Sequence, residues 1–336
     1  MTKIIEPGRR SGAVLIPSSK SIAHREIIAA ALSGVAPPVI RGESKDTLAT
    51  RNCLKAMMAG EPVWPCGESG TTLRLLEPIA GVMGWQGCFQ CEGRLGERPR
   101  MPFKRQEQYV IPGNISSQFV SGLLMALPLA DWDSEIVIDG ELQSASYVRL
   151  TENVLAAAGI RWERVNPQTW RIQGRQKYRI AGGREVEGDW SQAAFFLAMG
   201  VTVEGLSADS QQGDRAVVEL LGKIDDGPAG VTIDVSNTPD LYPVLAAYAA
   251  ARDRKVNFIG TERLRLKESD RLASTAEMIA AVKAERPIDC HGDHRIAMSA
   301  AVMATYAKAP VTIEGAECVE KSYPKFWTDF DRLQKE

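Results

Sequence analysis

The sequence predicts an α/β protein made of two similar domains, and three observations carry that prediction. A short β-branched strand ending in glycine recurs six times, an alanine-rich helix with a small polar opening precedes each copy, and a second, two-faced helix follows most copies. Recurrence at such an interval marks a repeat architecture, in which each unit is one supersecondary element stacked on its neighbours.

In chain order the strands are Val39-Ile40-Arg41-Gly42, Phe89-Gln90-Cys91-Glu92-Gly93, Ile136-Val137-Ile138-Asp139-Gly140, Val201-Thr202-Val203-Glu204-Gly205, Val256-Asn257-Phe258-Ile259-Gly260 and Val311-Thr312-Ile313-Glu314-Gly315. Subtraction places successive glycines 51, 47, 65, 55 and 55 residues apart. The buried-helix openings are Ser18-Ser19-Lys20-Ser21, Gly67-Glu68-Ser69-Gly70-Thr71, Gly113-Asn114-Ile115-Ser116-Ser117-Gln118, Gly188-Asp189-Trp190-Ser191-Gln192, Asn237-Thr238-Pro239-Asp240 and Gly292-Asp293-His294-Arg295. Ser, Asn and Asp there are N-caps, and Gly permits the turn into the helix. Bodies such as Phe195-Phe196-Leu197-Ala198-Met199 and Ile296-Ala297-Met298-Ser299-Ala300-Ala301-Val302-Met303 are apolar nearly all round, so these helices are predicted to be buried. The two-faced helices are predicted at Asp46 to Ala59, Tyr147 to Ala158, Asp214 to Ile224, Glu268 to Val282 and Tyr323 to Leu333. Six units in two groups of three give two domains, with the longest interval marking a crossover near Glu187 or Gly188.

Composition narrows the function. The 336 residues are 44% hydrophobic and 24% charged, enough apolar material for a large core and too much for disorder. Forty Lys and Arg against forty-two Asp and Glu leave a net charge of -2, which gives no general electrostatic hold on nucleic acid or anionic lipid. Met1 to Gly12 has no signal-length apolar core, and no apolar run reaches membrane-spanning length, so we expect a cytoplasmic protein without membrane or nucleic-acid partners. The six cysteines are not a disulfide framework, and Cys88 and Cys91 alone have a CxxC spacing. Cys290-His291-x-x-His294 offers three metal-ligand types without an evident fourth, so no metal is expected.

Chemistry gathers at the helix openings. Lys20, Ser21 and Arg25 lie in the first, Gly70, Thr71 and Arg74 in the second, Ser116, Ser117 and Gln118 in the third, Asp240 in the fifth, and His294 and Arg295 in the sixth. Helix N-termini attract anions through unpaired N–H groups and the dipole. Arg263-Leu264-Arg265-Leu266-Lys267-Glu268-Ser269-Asp270-Arg271 adds four cations at a helix start, and the i, i+4 spacing predicts that Lys267 and Arg271 share a face beside Glu268. A charge run by itself is more often a solvated helix start, but these clusters recur at equivalent places in the repeat. Cations around one carboxylate suit the joining of small anionic molecules, with the carboxylate moving a proton. Gly182-Gly183 and Gly67-x-x-Gly70 fit neither a P-loop nor a dinucleotide fingerprint, so neither ATP nor NAD is supported.

Seven ordered motifs resemble those of the 5-enolpyruvylshikimate-3-phosphate (EPSP) synthases. They are Pro17-Ser18-Ser19-Lys20-Ser21-Ile22-Ala23-His24-Arg25, Gly67-Glu68-Ser69-Gly70-Thr71-Thr72-Leu73-Arg74, Glu97-Arg98-Pro99, Ser116-Ser117-Gln118-Phe119, Leu266-Lys267-Glu268-Ser269-Asp270-Arg271-Leu272, Asp293-His294-Arg295-Ile296-Ala297-Met298 and Lys321-Ser322-Tyr323-Pro324. The resemblance implies two inside-out α/β domains, each of three βαβαββ repeats, with some repeats trimmed in this short chain. It implies one domain from residues 1–18 plus 188–336 and another from 19–187, with the active site in a cleft that substrate closes. It also implies transfer of the enolpyruvyl group of phosphoenolpyruvate to the 5-hydroxyl of shikimate 3-phosphate, without metal or organic cofactor, by a monomer.

By the same resemblance Lys20, Ser21, Arg25, Ser116, Ser117, Gln118, Ser144, Asp240 and Lys267 would hold shikimate 3-phosphate. Lys20, Gly70, Arg98, Gln118, Arg271, Arg295 and Lys321 would hold phosphoenolpyruvate. Asp240, Glu268 and Lys20 would be catalytic, Glu268 protonating the methylene carbon while Asp240 takes the hydroxyl proton. Glu68 and Arg263 stand where the family usually has Asn, and Leu75 replaces a common proline. Two other readings stand beside this one: the sister transferase acting on UDP-N-acetylglucosamine, and a non-catalytic anion-binding protein on the same scaffold.

Overall fold

A computed structural model describes all 336 residues, Met1 to Glu336. The chain opens with β1 (Thr2–Ile5), β2 (Arg10–Ser11) and β3 (Ala13–Leu15), then α1 (Lys20–Ser33), α2 (Lys45–Met58), β4 (Val63–Gly67), α3 (Gly70–Met83) and β5 (Cys88–Cys91). There follow β6 (Gln108–Pro112), α4 (Ser117–Ala126), β7 (Ser134–Asp139), α5 (Ala145–Ala157), β8 (Trp162–Asn166) and β9 (Thr169–Ile172). Next come α6 (Trp190–Ala198), β10 (Thr202–Glu204), α7 (Val217–Asp226), β11 (Val231–Asp234), α8 (Tyr242–Ala251) and β12 (Val256–Ile259). The chain ends with α9 (Arg271–Lys283), β13 (Ile288–Asp289), α10 (His294–Tyr306), β14 (Val311–Glu314), α11 (Phe326–Asp331) and β15 (Gln334–Lys335).

These elements form two compact units. One comprises Met1–Ser19, Gly42–Ser44 and Glu187–Glu336; the other comprises Lys20–Arg41 and Lys45–Val186. In each, apolar helices are the core and half-exposed strands form the outside, which inverts the usual α/β layering. In the first unit α6, α8 and α10 are buried along almost their whole length, and Phe195, Phe196 and Phe326 pack edge to face or tilted among them. Each such ring contributes about 1.5–3 kcal/mol through burial. In the second unit α1, α3 and α4 take the same role.

The repeat has one complete copy. In the second unit β6, α4, β7, α5, β8 and β9 follow in order and form one four-stranded sheet, β6-β7-β9-β8. Elsewhere the closing hairpin is missing. Ala59 to Pro62 joins α2 to β4, Gly227 to Gly230 joins α7 to β11, and Ala284 to Pro287 joins α9 to β13. The sheets left behind are the parallel pairs β4-β5, β3-β10 and β11-β12 and the three-stranded β1-β14-β13, with β2-β15 tying the two termini of the first unit. After β5 the second helix is also gone, replaced by a 3-10 turn at Gly93–Glu97.

All six repeat glycines, Gly42, Gly93, Gly140, Gly205, Gly260 and Gly315, have positive φ, from 55° to 83°. That left-handed turn explains why a glycine closes each strand. The expected first strand, Val39 to Gly42, is reduced to a single bridge between Val39 and Glu185; Pro37 and Pro38 cannot donate to a ladder there. Asp214 lies in a 3-10 turn ahead of α7, and Tyr323 precedes α11, so both helices are displaced from the predicted ranges.

Gly122 on α4 lets that helix press against α3. A Cβ there would stand 2.2 Å from the Arg74 carbonyl oxygen and 3.0 Å from Pro78 Cγ. Gly122→Ala therefore forces the helices apart, at about 1–3 kcal/mol, and is expected to lower Tm by about 3–10 °C in a thermal melt. An unchanged Tm would mean that the two helices do not need this approach.

Candidate active site

In the first unit, three elements bring charged groups to one place, and a fourth carries a further buried cation. Pro239–Leu241 is a 3-10 turn leading into α8 and carries Asp240. Asp270 caps α9, accepting from Ala273 N at 3.2 Å, so the helix begins at Arg271. Asp293 caps α10, accepting from Arg295 N at 3.0 Å. Lys321 is buried at the end of the 3-10 turn Ala316–Lys321.

Arg271 is the hub. Its Nε donates to Asp293 Oδ2 at 2.8 Å, Nη1 to Asp240 Oδ1 at 2.7 Å and Nη2 to Glu268 Oε2 at 2.5 Å. It is only 2% exposed. Burial alone would lower its pKa, but Asp293, Glu268 and Asp240 push it up, so the charge is fixed. Asp240 also accepts from Lys267 Nζ at 3.3 Å and Arg295 Nη2 at 3.0 Å. Burial would raise Asp240, yet Arg295, Lys267 and Arg271 hold it well below the usual carboxylate range. Burial pulls the Lys267 pKa down against the charge of Asp240.

Here the i, i+4 reading needs correction. Lys267 and Glu268 precede α9 and do not lie on it, because Asp270 sets the helix start. Lys267 and Arg271 meet through their shared acceptor, Asp240, and not by lying on one helix face.

The second unit gathers another set. Lys20 opens α1 and its Nζ lies 2.8 Å from Asp46 Oδ2. One turn on, buried Arg25 donates to Thr151 Oγ1 at 2.7 Å, Ser21 O at 2.6 Å, Tyr147 O at 3.0 Å and Ser121 Oγ at 3.2 Å. All four acceptors are neutral, and burial lowers its pKa to about 10. Such a guanidinium gains from any anion that can reach it. Ser116 caps α4, accepting from Gln118 N at 3.3 Å, and Ser117 is buried at the first helical position. Gln118 accepts from Arg74 Nη1 at 2.7 Å and donates to Thr71 Oγ1 at 2.8 Å, tying α4 to α3. Gly70 starts α3, where a Cβ would lie 3.1 Å from Arg74 Nη1 and 3.3 Å from Arg98 Nη1. Ser144 leads into α5 with a left-handed backbone, φ 56°.

The expected residues thus fall into two sets. Asp240, Lys267, Glu268, Arg271 and Arg295 are linked by ion pairs in the first unit, where Lys321 is also found; Lys20, Ser21, Arg25, Gly70, Arg98, Ser116, Ser117, Gln118 and Ser144 belong to the second. The possible metal trio is dispersed: Cys290 is buried, His291 Nε2 faces Glu277 at 2.9 Å, and His294 is enclosed in α10.

The profile of the EPSP synthase family, described as EPSP synthase (3-phosphoshikimate 1-carboxyvinyltransferase), matches residues 101–330. A 3-phosphoshikimate 1-carboxyvinyltransferase of Clostridium kluyveri is 37% identical over 98% of this chain and 96% of its own length. The chain belongs to the EPSP synthase family. A Clostridium beijerinckii relative with the same name is 33% identical over the same shares. Among solved structures, EPSP synthase from Acinetobacter baumannii superposes with a TM-score of 0.74 at 21% identity, covering 99% of this chain and 98% of that one. The enolpyruvyl transferase NikO from Streptomyces tendae superposes with a TM-score of 0.66 at 15% identity, covering 100% and 97%. These two likenesses confirm the inside-out two-domain α/β fold.

The C. kluyveri alignment spans 411 positions against the 336 residues of this chain, so at least 75 of them (411 less 336) have no counterpart here. This EPSP synthase family member has no hairpin after α2, α7 or α9, and it has the six helix openings. Three supporting residues escaped the sequence reading. Asp293 orients Arg271 and caps α10. Asp46 pairs with Lys20. Buried Asp214 is pushed up to about 7 by burial and by Asp240, against the opposing Arg295 and Ser191. Asp293 stands inside a quoted motif and could have been read as a cap with a second duty; Asp214 and Asp46 looked like ordinary helix starts.

Proposed function

We infer that this chain transfers the enolpyruvyl group of phosphoenolpyruvate to the 5-hydroxyl of shikimate 3-phosphate and releases phosphate. Family membership supports the reaction, and the Asp240–Arg271–Glu268–Asp293 cluster is the observation that supports the chemistry. Arg271 and Arg295 would take the carboxylate and phosphate of phosphoenolpyruvate together with Lys321, Arg98, Gly70, Gln118 and Lys20. Arg25, Ser21, Ser116, Ser117, Ser144, Gln118, Lys20 and Lys267 would take the phosphate and hydroxyls of shikimate 3-phosphate. For Arg25 that phosphate supplies the counter-charge its neutral acceptors lack.

The steps follow from the charges. Drawing Arg271 onto the substrate's anion raises the proton affinity of Glu268, which takes up a proton and gives it to the methylene carbon while the 5-hydroxyl oxygen bonds to the adjacent carbon and Asp240 takes the hydroxyl proton. The resulting tetrahedral species returns a methyl proton to Glu268 as its carbon–oxygen bond to phosphate breaks. An anion at Arg271 and Arg295 competes with Asp240 for both, and each cation drawn off raises the proton affinity of Asp240 toward that of a useful base. Lys20, placed between the two substrates, steadies the departing phosphate. We propose further that the protein works as a cytoplasmic monomer without a cofactor.

Mixing the purified protein with both substrates is expected to release inorganic phosphate and form the enolpyruvyl ether. Binding of both without release would instead mark a non-catalytic anion-binding protein. Gly70→Ala presses a methyl on Arg98 and Arg74, so KM for phosphoenolpyruvate is expected to rise about fivefold, the factor for 1 kcal/mol, and inhibition by glyphosate, which the family resemblance implies competes with phosphoenolpyruvate, to weaken at least as much. Unchanged KM and inhibition would remove Gly70 and Arg98 from that subsite.

A further inference from the structure

We propose that His24, Thr50, Thr72 and Ser69 are positioning residues for phosphoenolpyruvate, a buried chain of hydrogen bonds that fixes where the openings of α1 and α3 stand against α2. Each helix supplies two members about one turn apart. On α1 they are Lys20 and His24, on α2 Asp46 and Thr50, and at the start of α3 the cap Ser69 and Thr72. One rung joins Lys20 Nζ to Asp46 Oδ2 at 2.8 Å; the next, a turn further along both helices, joins His24 Nδ1 to Thr50 Oγ1 at 2.6 Å. Thr72 ties α3 to both rungs, its Oγ1 lying 2.7 Å from Thr50 Oγ1 and donating to Asp46 O at 3.3 Å. The same hydroxyl lies 2.7 Å from Ser69 Oγ, which caps α3 by accepting from Thr72 N at 3.3 Å.

The protons give the chain a direction. Thr72 has one hydroxyl proton and gives it to Asp46 O, so Thr50 donates to Thr72 and His24 Nδ1 donates to Thr50. Packing alone does not ask for these groups. His24, Thr50 and Thr72 are fully buried, and His24 Nε2 has no partner in the protein. A polar group so enclosed costs stability where an apolar one of the same shape would not. Burial pushes the His24 ring down to about 3, so it stays neutral and brings no charge of its own. What such bonds supply and apolar contacts do not is direction, and each bond here sets one helix start against another. Those starts carry Lys20 on α1 and Gly70 at the first position of α3. A binding constellation must be held to about 0.5 Å.

The chain is also selective. His24 and Arg25 are adjacent, yet they face different helices: His24 meets α2, while Arg25 donates to Ser121 of α4 and to Tyr147 and Thr151 of α5. The serines assigned to shikimate 3-phosphate at the openings of α4 and α5 lie outside the His24 chain. Thr72 reaches the site through α3 alone, and the Lys20–Asp46 pair does not depend on it.

This assignment rests on the reaction proposed above. Thr72→Val keeps the shape and removes the hydroxyl that joins α3 to both rungs. KM for phosphoenolpyruvate is expected to rise about fivefold, with kcat and KM for shikimate 3-phosphate within about twofold of the parent, and Thr72→Ser should restore it. The triple variant His24→Leu, Thr50→Val, Thr72→Val replaces the chain by apolar groups and leaves no donor stranded, so its Tm should recover toward the parent while KM for phosphoenolpyruvate stays high. That split separates positioning from stability, and it can be read even if the single variant folds poorly. Parental KM in Thr72→Val, KM for both substrates rising in step, or a triple variant parental in both Tm and KM would overturn the proposal. Parent protein that releases no phosphate defeats the reaction reading instead. Titration calorimetry of phosphoenolpyruvate, with shikimate 3-phosphate present, then tests the chain: Thr72→Val should raise Kd about fivefold, and an equal Kd overturns it.

Discussion

Arg271→Ala is expected to lose about 3–5 kcal/mol of stability and all measurable turnover. The side chain is enclosed by Asp293, Asp240 and Glu268. Removing it leaves three carboxylates facing a hole, and breaking a buried pair by deleting one partner costs that much because the remaining charge stays desolvated. Against a typical total of about 5–15 kcal/mol, the variant's first unit stands near unfolding. Chemical denaturation followed by circular dichroism reads the loss. Arg271→Lys separates the two roles: it restores a charge but not the fork that reaches three carboxylates, so stability should partly return while kcat/KM for phosphoenolpyruvate stays low. A variant Arg271→Ala within 1 kcal/mol of the parent would show that the cluster relaxes around the gap.

Glu268→Gln carries the second large effect, and it falls on kcat. The amide keeps an oxygen to accept from Arg271 Nη2, so the melting temperature should change little. What is lost is the ionisable proton, and a positioned general acid is worth about 10²–10⁴ in rate. Steady-state assays should show kcat reduced by that factor with KM for shikimate 3-phosphate nearly unchanged. A loss of less than tenfold would remove Glu268 from the acid role and leave it as a positioning partner of Arg271.

Much of this was legible in the chain before any coordinates. The repeat glycines could be read because a left-handed turn at the end of a strand selects glycine so strongly, and all six have that conformation. Buried helices could be read from alanine-rich bodies, as in α10, where burial is continuous from His294 to Thr305. Helix starts were harder. The two-faced pattern starts a helix at Glu268, whereas a single hydrogen bond from Ala273 N to Asp270 starts it at Arg271. Charge partners were hardest of all. Asp214 looked like any acidic helix opening, and only the tertiary fold puts it close enough to Asp240 for the two charges to oppose each other. Spacing reports neighbours along one element; it does not report what another element brings.

The missing hairpins also bear on how the chain reaches its fold. β8–β9 is the one pairing closed by a tight turn, Asn166 facing Thr169. Every other ladder waits for distant partners: Val231 for Val256, Ala13 for Thr202, and Thr2 for Glu314. These ladders wait on loop closures of about 25 residues or more, and pairing that is so non-local slows folding. By length this is an economical chain; by search time it is a costly one, with β8–β9 left as the natural place for its sheets to begin.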